Sequence, residues 1–465
     1  MTAVAVRPAP VDHHTASARQ ARYWNAHTET MPRAQLDALH LRKLKMLTAY
    51  VYDHSPFYRA RFDEIGLKPE HIKSLNDFKR LVPITDKKDF LDLQSERPPY
   101  GDTLAVPLDM VTHHAATSGS TGAPLGVPYT QYDTERYGES WTYGFWAHGI
   151  RPADTFYFAF NWGNFAGFWS CYFGIRRMGC RLISGGGVDS QGHIQNILNM
   201  KPTVLISTPT FALRLAQVAQ EMDVDLCETS IRYTYHAGEP GPFALPAMKR
   251  QIDEAWGADS GELLGIAEVE AFAPGCSLRD GVHVNEMNVF SWSMDPDTGE
   301  ESESGAIGEN IITSYTNSGQ PLLNYRSHDL VRRVRNCGCG VTWDKLDGVV
   351  LGRTDFMITV RGTNVYPTAV ENILGETPGV SPFFRLVLDH MDGNDRMTVE
   401  FEPEKYMPEA DWPKVAEQVQ QAIRKALHVR LETRVIPPDG LPRYDLKTTR
   451  IVDNRPKELQ RELDR

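Results

Sequence analysis

Residues 117–126 read TSGSTGAPLG, with three glycines and four hydroxyl side chains in ten positions. Glycine opens backbone conformations that a Cβ forbids. Hydroxyls and free backbone N–H groups are what phosphate oxygens seek. A polar hairpin loop has the same composition, so the stretch alone decides nothing. Other polar groups close apolar runs in the same way. STP at 207–209 follows VLI, and Ala237-Gly238-Glu239-Pro240 follows IRYTYH. Glu268 and Glu270 end LLGIAEVE, and Asp329 ends NYRSHD. Each reads plainly as a loop or cap. In open α/β sheets, however, ligands gather beyond the carboxyl ends of strands. Together these turns read as a nucleotide site: a glycine–hydroxyl loop for phosphates, one carboxylate for a metal and another for ribose hydroxyls. Cys276 and His283, spaced C-x6-H, precede Cys337-Gly-Cys339. Four soft ligands suffice for a closed tetrahedral zinc site. The alternative is two surface thiols in a glycine turn plus a core cysteine.

The elements that must position these groups follow from periodicity. Residues 33–62 carry apolar positions at helical spacing and stop near Ser55-Pro56. Ser74 offers a cap to a second short helix. From DTFYFAFNW to GPFALPAMKRQIDEAWG, strand, turn and helix alternate, as in parallel βαβ units. Residues 281–350 turn to short β segments. A block from about 356 to the end resembles a small α+β domain. The expected fold class is α/β: a large N-terminal domain of layered parallel βαβ units plus a β subdomain, and a small mobile α+β C-terminal lid. The expected divisions are a disordered leader (1–30), an ATP- and acid-binding domain (31–352), a hinge (353–356) and the lid (357–465).

Formal net charge is −11, from 49 Lys+Arg and 60 Asp+Glu. That argues against nucleic acid or an anionic membrane as the main partner. No apolar run approaches the ~20 residues of a membrane span. The six cysteines are sparse and form no disulfide framework, so a reducing cytoplasm is expected.

The order of motifs resembles the adenylate-forming superfamily of acyl- and aryl-CoA synthetases, and within it the phenylacetate–CoA ligase branch. The carriers are SGSTGAP (118–124), AGEP (237–240), GIAE (265–268), YRSHDL (325–330), GRTDFMITVRGTNVYP (352–367) and LPRYDLKTTRIVDNR (441–455). The resemblance implies ATP, Mg²⁺ and coenzyme A as cofactor and co-substrates, and a small aromatic acid as partner. It implies that Thr117, Ser118, Gly119, Ser120, Thr121 and Gly122 cover the ATP β- and γ-phosphates, with Thr121 also catalytic. Ala123 stands where many relatives have lysine, so no fixed cation sits in the loop. The resemblance further implies that Glu268 binds Mg²⁺, with Glu270 a weaker candidate. Ala237, Gly238, Glu239 and Pro240 wall the adenine, Asp329 holds the ribose hydroxyls with Arg353 nearby, and Asp355 is the hinge. Lys447 is the catalytic lysine of the lid, although Leu446 and Thr448 flank it where Gly and Ala are common. An ammonium bridging an attacking carboxylate and the α-phosphate stabilises the transition state more than the separated anions. Some relatives carry a Cys/His set like Cys276, His283, Cys337 and Cys339, which implies structural zinc.

Aromatic residues supply apolar area for an aryl acid. Phe160, Trp162, Phe165, Trp169, Tyr129, Tyr235, His236, Asn161 and Gly265 are pocket candidates, although rings after a strand usually fill core. The expected reaction is ATP-dependent formation of an acyl-adenylate, followed by transfer to coenzyme A. Two alternatives stay open: an amine or carrier-protein thiol as acceptor, and a non-catalytic paralogue. The oligomeric state is also open, with a homodimer among the options.

Overall fold

The computed structural model describes residues 22–117, 124–160, 162–164, 166–354, 358–360, 363–391, 394–442 and 450–456. After a single turn, α1 (Ala26–Glu29), the predicted first helix forms as α2 (Arg33–His54). It ends where the sequence says, because Pro56 cannot continue it. Ser55 instead caps α3 (Pro56–Glu64), its Oγ accepting from the Tyr58 N–H at 3.4 Å. Ser74 caps α4 (Leu75–Leu81) in the same way, and Asp86 caps α5 (Lys87–Glu96). Arg33 makes a two-pronged contact with Glu286 (2.9 and 2.7 Å), and buried His40 reaches the same carboxylate (2.8 Å). These bonds join α2 to the β region.

β1 (Val111–Ala116) and β2 (Gly126–Thr130) pair antiparallel, so the glycine–hydroxyl loop is a hairpin loop. Helices α6 (Gln131–Tyr137) and α7 (Glu139–Ala147) follow. The expected βαβ run then appears as β3 (Thr155–Phe158), α8 (Ala166–Met178), β4 (Arg181–Ser184), α9 (Ser190–Met200), β5 (Val204–Ser207), α10 (Pro209–Glu221), β6 (Tyr233–His236), α11 (Pro246–Trp256) and β7 (Asp259–Ile266). With β8 (Glu270–Pro274) they form a six-stranded sheet, order β4-β3-β5-β6-β7-β8. It is parallel except for the β7–β8 hairpin. Strands β3 and β5 are buried on both faces, which explains their unbroken apolar runs.

β9 (Gly281–His283), β10 (Val289–Met294), β11 (Ile307–Ser314), β12 (Tyr325–Val334) and β13 (Lys345–Arg353) make an antiparallel sheet, order β10-β11-β12-β13-β9. The C-terminal part opens with the hairpin β14 (Ile358–Val360) and β15 (Thr363–Val365), followed by α12 (Pro367–Glu376). β16 (Val380–Met391) and β17 (Asn394–Pro403) form a long hairpin. After α13 (Trp412–Leu427), β18 (Glu432–Val435) and β19 (Ile451–Asp453) flank that hairpin in parallel. On α13, Val415, Val419 and Ile423 recur every four residues and close a separate core with Leu386, Val399 and Phe401.

Residues 22–30 correct the expected extent of the leader. Tyr23 and Glu29 are buried, and Trp24 packs edge-on against Trp146 at 5.4 Å. Two aromatic rings give this short stretch enough apolar area to be held. Among the described residues no helix is long and apolar enough to cross a membrane.

Candidate active site

The neck of the glycine–hydroxyl loop is closed by four bonds. Thr117 N–H donates to the Leu125 carbonyl (3.0 Å), and Leu125 N–H donates to Thr117 Oγ1 (2.9 Å). Gln94 clamps the next residue, accepting from the Gly126 N–H (2.9 Å) and donating to its carbonyl (2.7 Å). Ser118, Gly119, Ser120, Thr121, Gly122 and Ala123 lie outside the described residues.

Ala237–Pro240 emerges from the carboxyl end of β6. Gly238 has φ +90, a conformation that only glycine takes at no steric cost. The Glu239 carboxylate accepts from Thr210 Oγ1 (2.6 Å) and from the Thr210 N–H (3.3 Å), which ties the loop to the start of α10. Glu262 on β7 secures the following turn. It accepts the N–H groups of Gly241 (3.1 Å), Phe243 (2.6 Å) and Ala244 (3.3 Å). Burial outweighs those three donors and raises its pKa to about 7. The sequence reading missed Glu262; the available signal was a lone glutamate inside the apolar strand run of β7.

Glu268 sits at the tip of the β7–β8 hairpin. Its carbonyl accepts from Asn317 Nδ2 (2.8 Å), and the neighbouring Ala267 carbonyl accepts from the Tyr129 hydroxyl (3.0 Å). Tyr129 is therefore a buried support for this hairpin. Glu270 follows at φ +73, a strained conformation for a residue with a Cβ. Gly265 faces it across the hairpin; a Cβ there would lie 2.7 Å from the Glu270 carbonyl oxygen. Asp329 and Arg353 are cross-strand partners on β12 and β13, joined Oδ1 to Nη1 at 2.8 Å. Tyr325, fully enclosed, links the two groups. Burial, then the Glu268 and Asp86 carboxylates, push its pKa up, and Arg353 pulls it down. Glu268 and Arg353 thus both act on one buried phenol, and Arg353 in turn holds Asp329. His328, at φ +63, reaches Asp86 through Nε2 (2.9 Å) and Thr354 through Nδ1 (3.1 Å). Burial opposes ionisation of Asp86, but the His328 contact prevails and holds its pKa below the usual range.

Asp355 and Lys447, with Leu446 and Thr448, lie outside the described residues. Arg450, three positions after Lys447, is firmly held. It donates to Glu371 Oε1 (3.0 Å) and to the Pro382 carbonyl (3.0 Å), and lies over the Phe384 ring. Glu371, on α12, is partly buried, and its pKa is raised by burial, with Glu239 adding to the rise. The Glu239 loop and α12 therefore lie within electrostatic reach of each other.

Around the end of β3, Phe160 is buried and rests on Phe168, ring centroids 3.7 Å apart. Trp162 is 37% exposed and stands at the surface. Asn161 and Phe165 lie outside the described residues. Tyr235 and His236, expected at the acid pocket, are core residues instead. Tyr235 packs under α7 against Trp141 and Phe145, and a Cβ on Gly144 would strike its hydroxyl. Both His236 nitrogens are occupied, by the Ser207 carbonyl (3.1 Å) and Thr234 Oγ1 (2.9 Å), and burial lowers its pKa to about 3. A strand end shows in sequence; the side of the sheet that each residue faces does not.

The Cys276, His283, Cys337 and Cys339 ligand atoms all lie within 4.8 Å of one another. His283 Nδ1 is bonded to the Trp343 carbonyl (3.1 Å), and Nε2 points at Cys339 Sγ (3.1 Å). A carbonyl on one ring nitrogen fixes the tautomer that leaves the other free to ligate. All six cysteines are unpaired thiols. Arg22 and Tyr23 both donate to the Cys339 carbonyl, and Thr342 N–H donates to the Glu29 carbonyl (2.8 Å). The N-terminal turn is thereby laid over the cluster.

Comparison with known proteins places the chain among adenylate-forming ligases. Residues 362–455 match the family described as AMP-binding enzyme C-terminal domain. The chain is 32% identical to the phenylacetate-coenzyme A ligase of Thermus thermophilus, over 92% of this chain and 98% of that one. It is 30% identical to the enzyme of that name from Aromatoleum evansii, over 91% and 96%. A crystal structure of 2-hydroxyisobutyryl-CoA ligase in the postadenylation state, with 2-HIB-AMP, superposes with a TM-score of 0.88 at 28% identity, covering 95% and 94%. The same ligase in the thioesterification state, with 2-HIB-AMP and CoA, gives 0.70. The chain belongs to the phenylacetate-coenzyme A ligase family of adenylate-forming enzymes and is an AMP-forming acid–CoA ligase.

Proposed function

We propose that the acid is aromatic and that the reaction runs in two half-reactions at the cleft beyond β5, β6 and β7. The acid carboxylate attacks the ATP α-phosphorus, forming the acyl-adenylate and releasing pyrophosphate. The coenzyme A thiol then attacks the acyl carbonyl, giving the thioester and AMP. The observation that carries this reading is that Arg353 pairs with Asp329 at 2.8 Å and, with Glu268, acts on the enclosed Tyr325 phenol. Asp329 takes the ribose hydroxyls, with Arg353 holding its carboxylate in place. Ala237–Pro240 walls the adenine, and Glu239 and Glu262 hold that wall. Residues 118–122 cover the phosphates with hydroxyls and N–H groups. Glu268 fits Mg²⁺, which prefers oxygen ligands and takes one or two carboxylates beside substrate phosphates. When bound it supplies positive charge that Ala123 does not. Lys447 bridges the two anions in the adenylation transition state.

The C-terminal part (357–465) acts as the lid, with 353–356 as hinge. The higher superposition score with the postadenylation form supports reading this structure as the adenylation arrangement. Phe160, with Phe165 and Trp162, forms the acid pocket. Cys276, His283, Cys337 and Cys339 fit a closed structural zinc site, apart from the chemistry. A cytoplasmic location suits the free thiols.

Exchange of labelled pyrophosphate into ATP, dependent on an added acid, tests the first half. Exchange with phenylacetate or a benzoate, and none with short aliphatic acids, supports the reading. Exchange with aliphatic acids alone refutes the aromatic pocket. Product formation that needs coenzyme A separates the thiol acceptor from an amine or a carrier protein.

A further inference from the structure

We propose that His328 is a positioning residue that fixes the hinge of the lid for the adenylation half-reaction. The inference rests on the reading of 353–356 as hinge and names the side chain that sets it.

His328 stands at φ +63, where glycine would sit without steric cost and most side chains are disfavoured. A ring kept at such a position points to a contact that needs it. The ring lies between two separate parts of the molecule. On one side, Nε2–H donates to Asp86 Oδ2 (2.9 Å). Asp86 caps α5, and the far end of α5 carries Gln94, the clamp on Gly126 at the neck of the glycine–hydroxyl loop. On the other side, Nδ1 meets Thr354 Oγ1 at 3.1 Å. Thr354 immediately precedes Asp355. With Nε2–H given to Asp86, Nδ1 accepts the Thr354 hydroxyl in the neutral ring and donates to it in the imidazolium, so the contact holds in either form. Glu309 also faces the ring, with Oε1 3.3 Å from Nδ1, and is itself gripped by Arg326 (3.0 and 2.6 Å).

Turning the chain about 353–356 changes the backbone beside Thr354 and gives up its contact with Nδ1. The contact therefore favours the adenylation arrangement by whatever it is worth there and not in the rotated one. Two ion pairs also join the C-terminal part to the rest, Arg250 with Glu376 (3.1 Å) and Lys405 with Glu221 (3.2 Å). Each of those four side chains is at least 40% exposed, and pairs so open to water contribute little. The His328 side chain is only 18% exposed, so water competes less for its bonds. Asp329 follows directly, which places the hinge contact one residue from the ribose carboxylate.

The test uses variants of the full chain and reads the half-reactions separately: pyrophosphate exchange with phenylacetate, and thioester formation from supplied phenylacetyl-adenylate and coenzyme A. His328→Gly removes the ring and relieves the backbone, and Thr354→Val removes the hydroxyl at similar volume. Each is expected to lower kcat for exchange about tenfold, the effect of one hydrogen bond, with KM for ATP within about twofold and transfer from the adenylate unchanged or faster. The double variant should cost no more than either single, because both remove the same contact. His328→Asn, which keeps a polar group near the Nδ1 position, should recover part of the exchange. Equal losses in both half-reactions, a rise in KM for ATP alone, or additive singles overturn the proposal, since the ring then only supports the fold or the ribose carboxylate. Asp355→Pro tests the hinge reading by itself: fixing φ there should stop transfer and spare exchange, and a variant that keeps both refutes that reading. Amide hydrogen exchange over residues 350–358 in the ligand-free chain keeps the two apart and needs no acid. Faster exchange there in Thr354→Val supports the His328 contact whatever Asp355→Pro does, and an unchanged rate overturns it.

Discussion

Replacing Glu262 by glutamine sets two calculable effects against each other. The carboxylate is 3% exposed, and burial raises its pKa from an ordinary 4.5 to about 7. Keeping it ionised therefore costs about 3 kcal/mol, at 1.36 kcal/mol per unit. Glutamine removes that cost. It also turns one acceptor into a donor. With its oxygen on Phe243 and Ala244, the amide nitrogen faces the Gly241 N–H at 3.1 Å. One charge-assisted bond is lost and two become neutral, a loss of about 3 kcal/mol. Global stability of Glu262→Gln is expected to stay within about 1 kcal/mol of the parent near neutral pH. The adenine wall, however, loses its Gly241 anchor, and KM for ATP should rise about 5- to 20-fold. The sign with pH follows from the raised pKa. The parent's contribution from this group is fully present below pH 4.5 and is lost as pH rises through 7, whereas the amide does not titrate. Melting curves from pH 5 to 8 should therefore move in favour of the variant, and flatten above. A deficit of more than about 3 kcal/mol that does not change with pH, or an unchanged KM for ATP, would refute the reasoning.

Lys447→Ala should lower acid-dependent pyrophosphate exchange about 10²- to 10³-fold, the usual cost of removing one transition-state stabiliser; normal exchange removes this lysine from the mechanism. Asp329→Asn breaks the pair with Arg353 at 2.8 Å and should raise KM for ATP about tenfold with little change in KM for the acid. The purified chain should carry about one zinc by elemental analysis. Cys339→Ser should lower that occupancy and the melting temperature by several degrees, at roughly 2–4 °C per kcal/mol for a domain of 150–250 residues, while pyrophosphate exchange per folded molecule stays the same.

Most elements were legible because periodicity reports burial directly. The runs TVLISTPT and FALRLAQVAQEM could not bury their apolar faces except as strand and helix, and they appear at 204–207 and 209–221. Asp329 and Arg353 were readable as motif residues, but their pairing needed the register of β12 on β13. Glu262 and Tyr325 stayed hidden for a different reason. A glutamate in a strand reads as solvent-facing until three N–H groups from a loop 18–21 positions away are seen to converge on it. Tyr235 and His236 were misplaced because alternation gives two faces without saying which one meets the ligand. The glycine–hydroxyl stretch gave composition without topology, and the antiparallel pairing of β1 with β2 made it a hairpin.

The turn at residues 22–30 has a practical bearing on how this enzyme ages. Arg22 and Tyr23 hold the Cys339 carbonyl, and Glu29 and Thr342 pin the segment beside it. A protease that clips after Met31 would strip away this cover without touching any group assigned to ATP. Freshly cleaved enzyme should turn over normally, then fade on storage in air as oxygen and peroxide reach sulfurs that had been shielded. Its shelf life, rather than its initial rate, would record the loss.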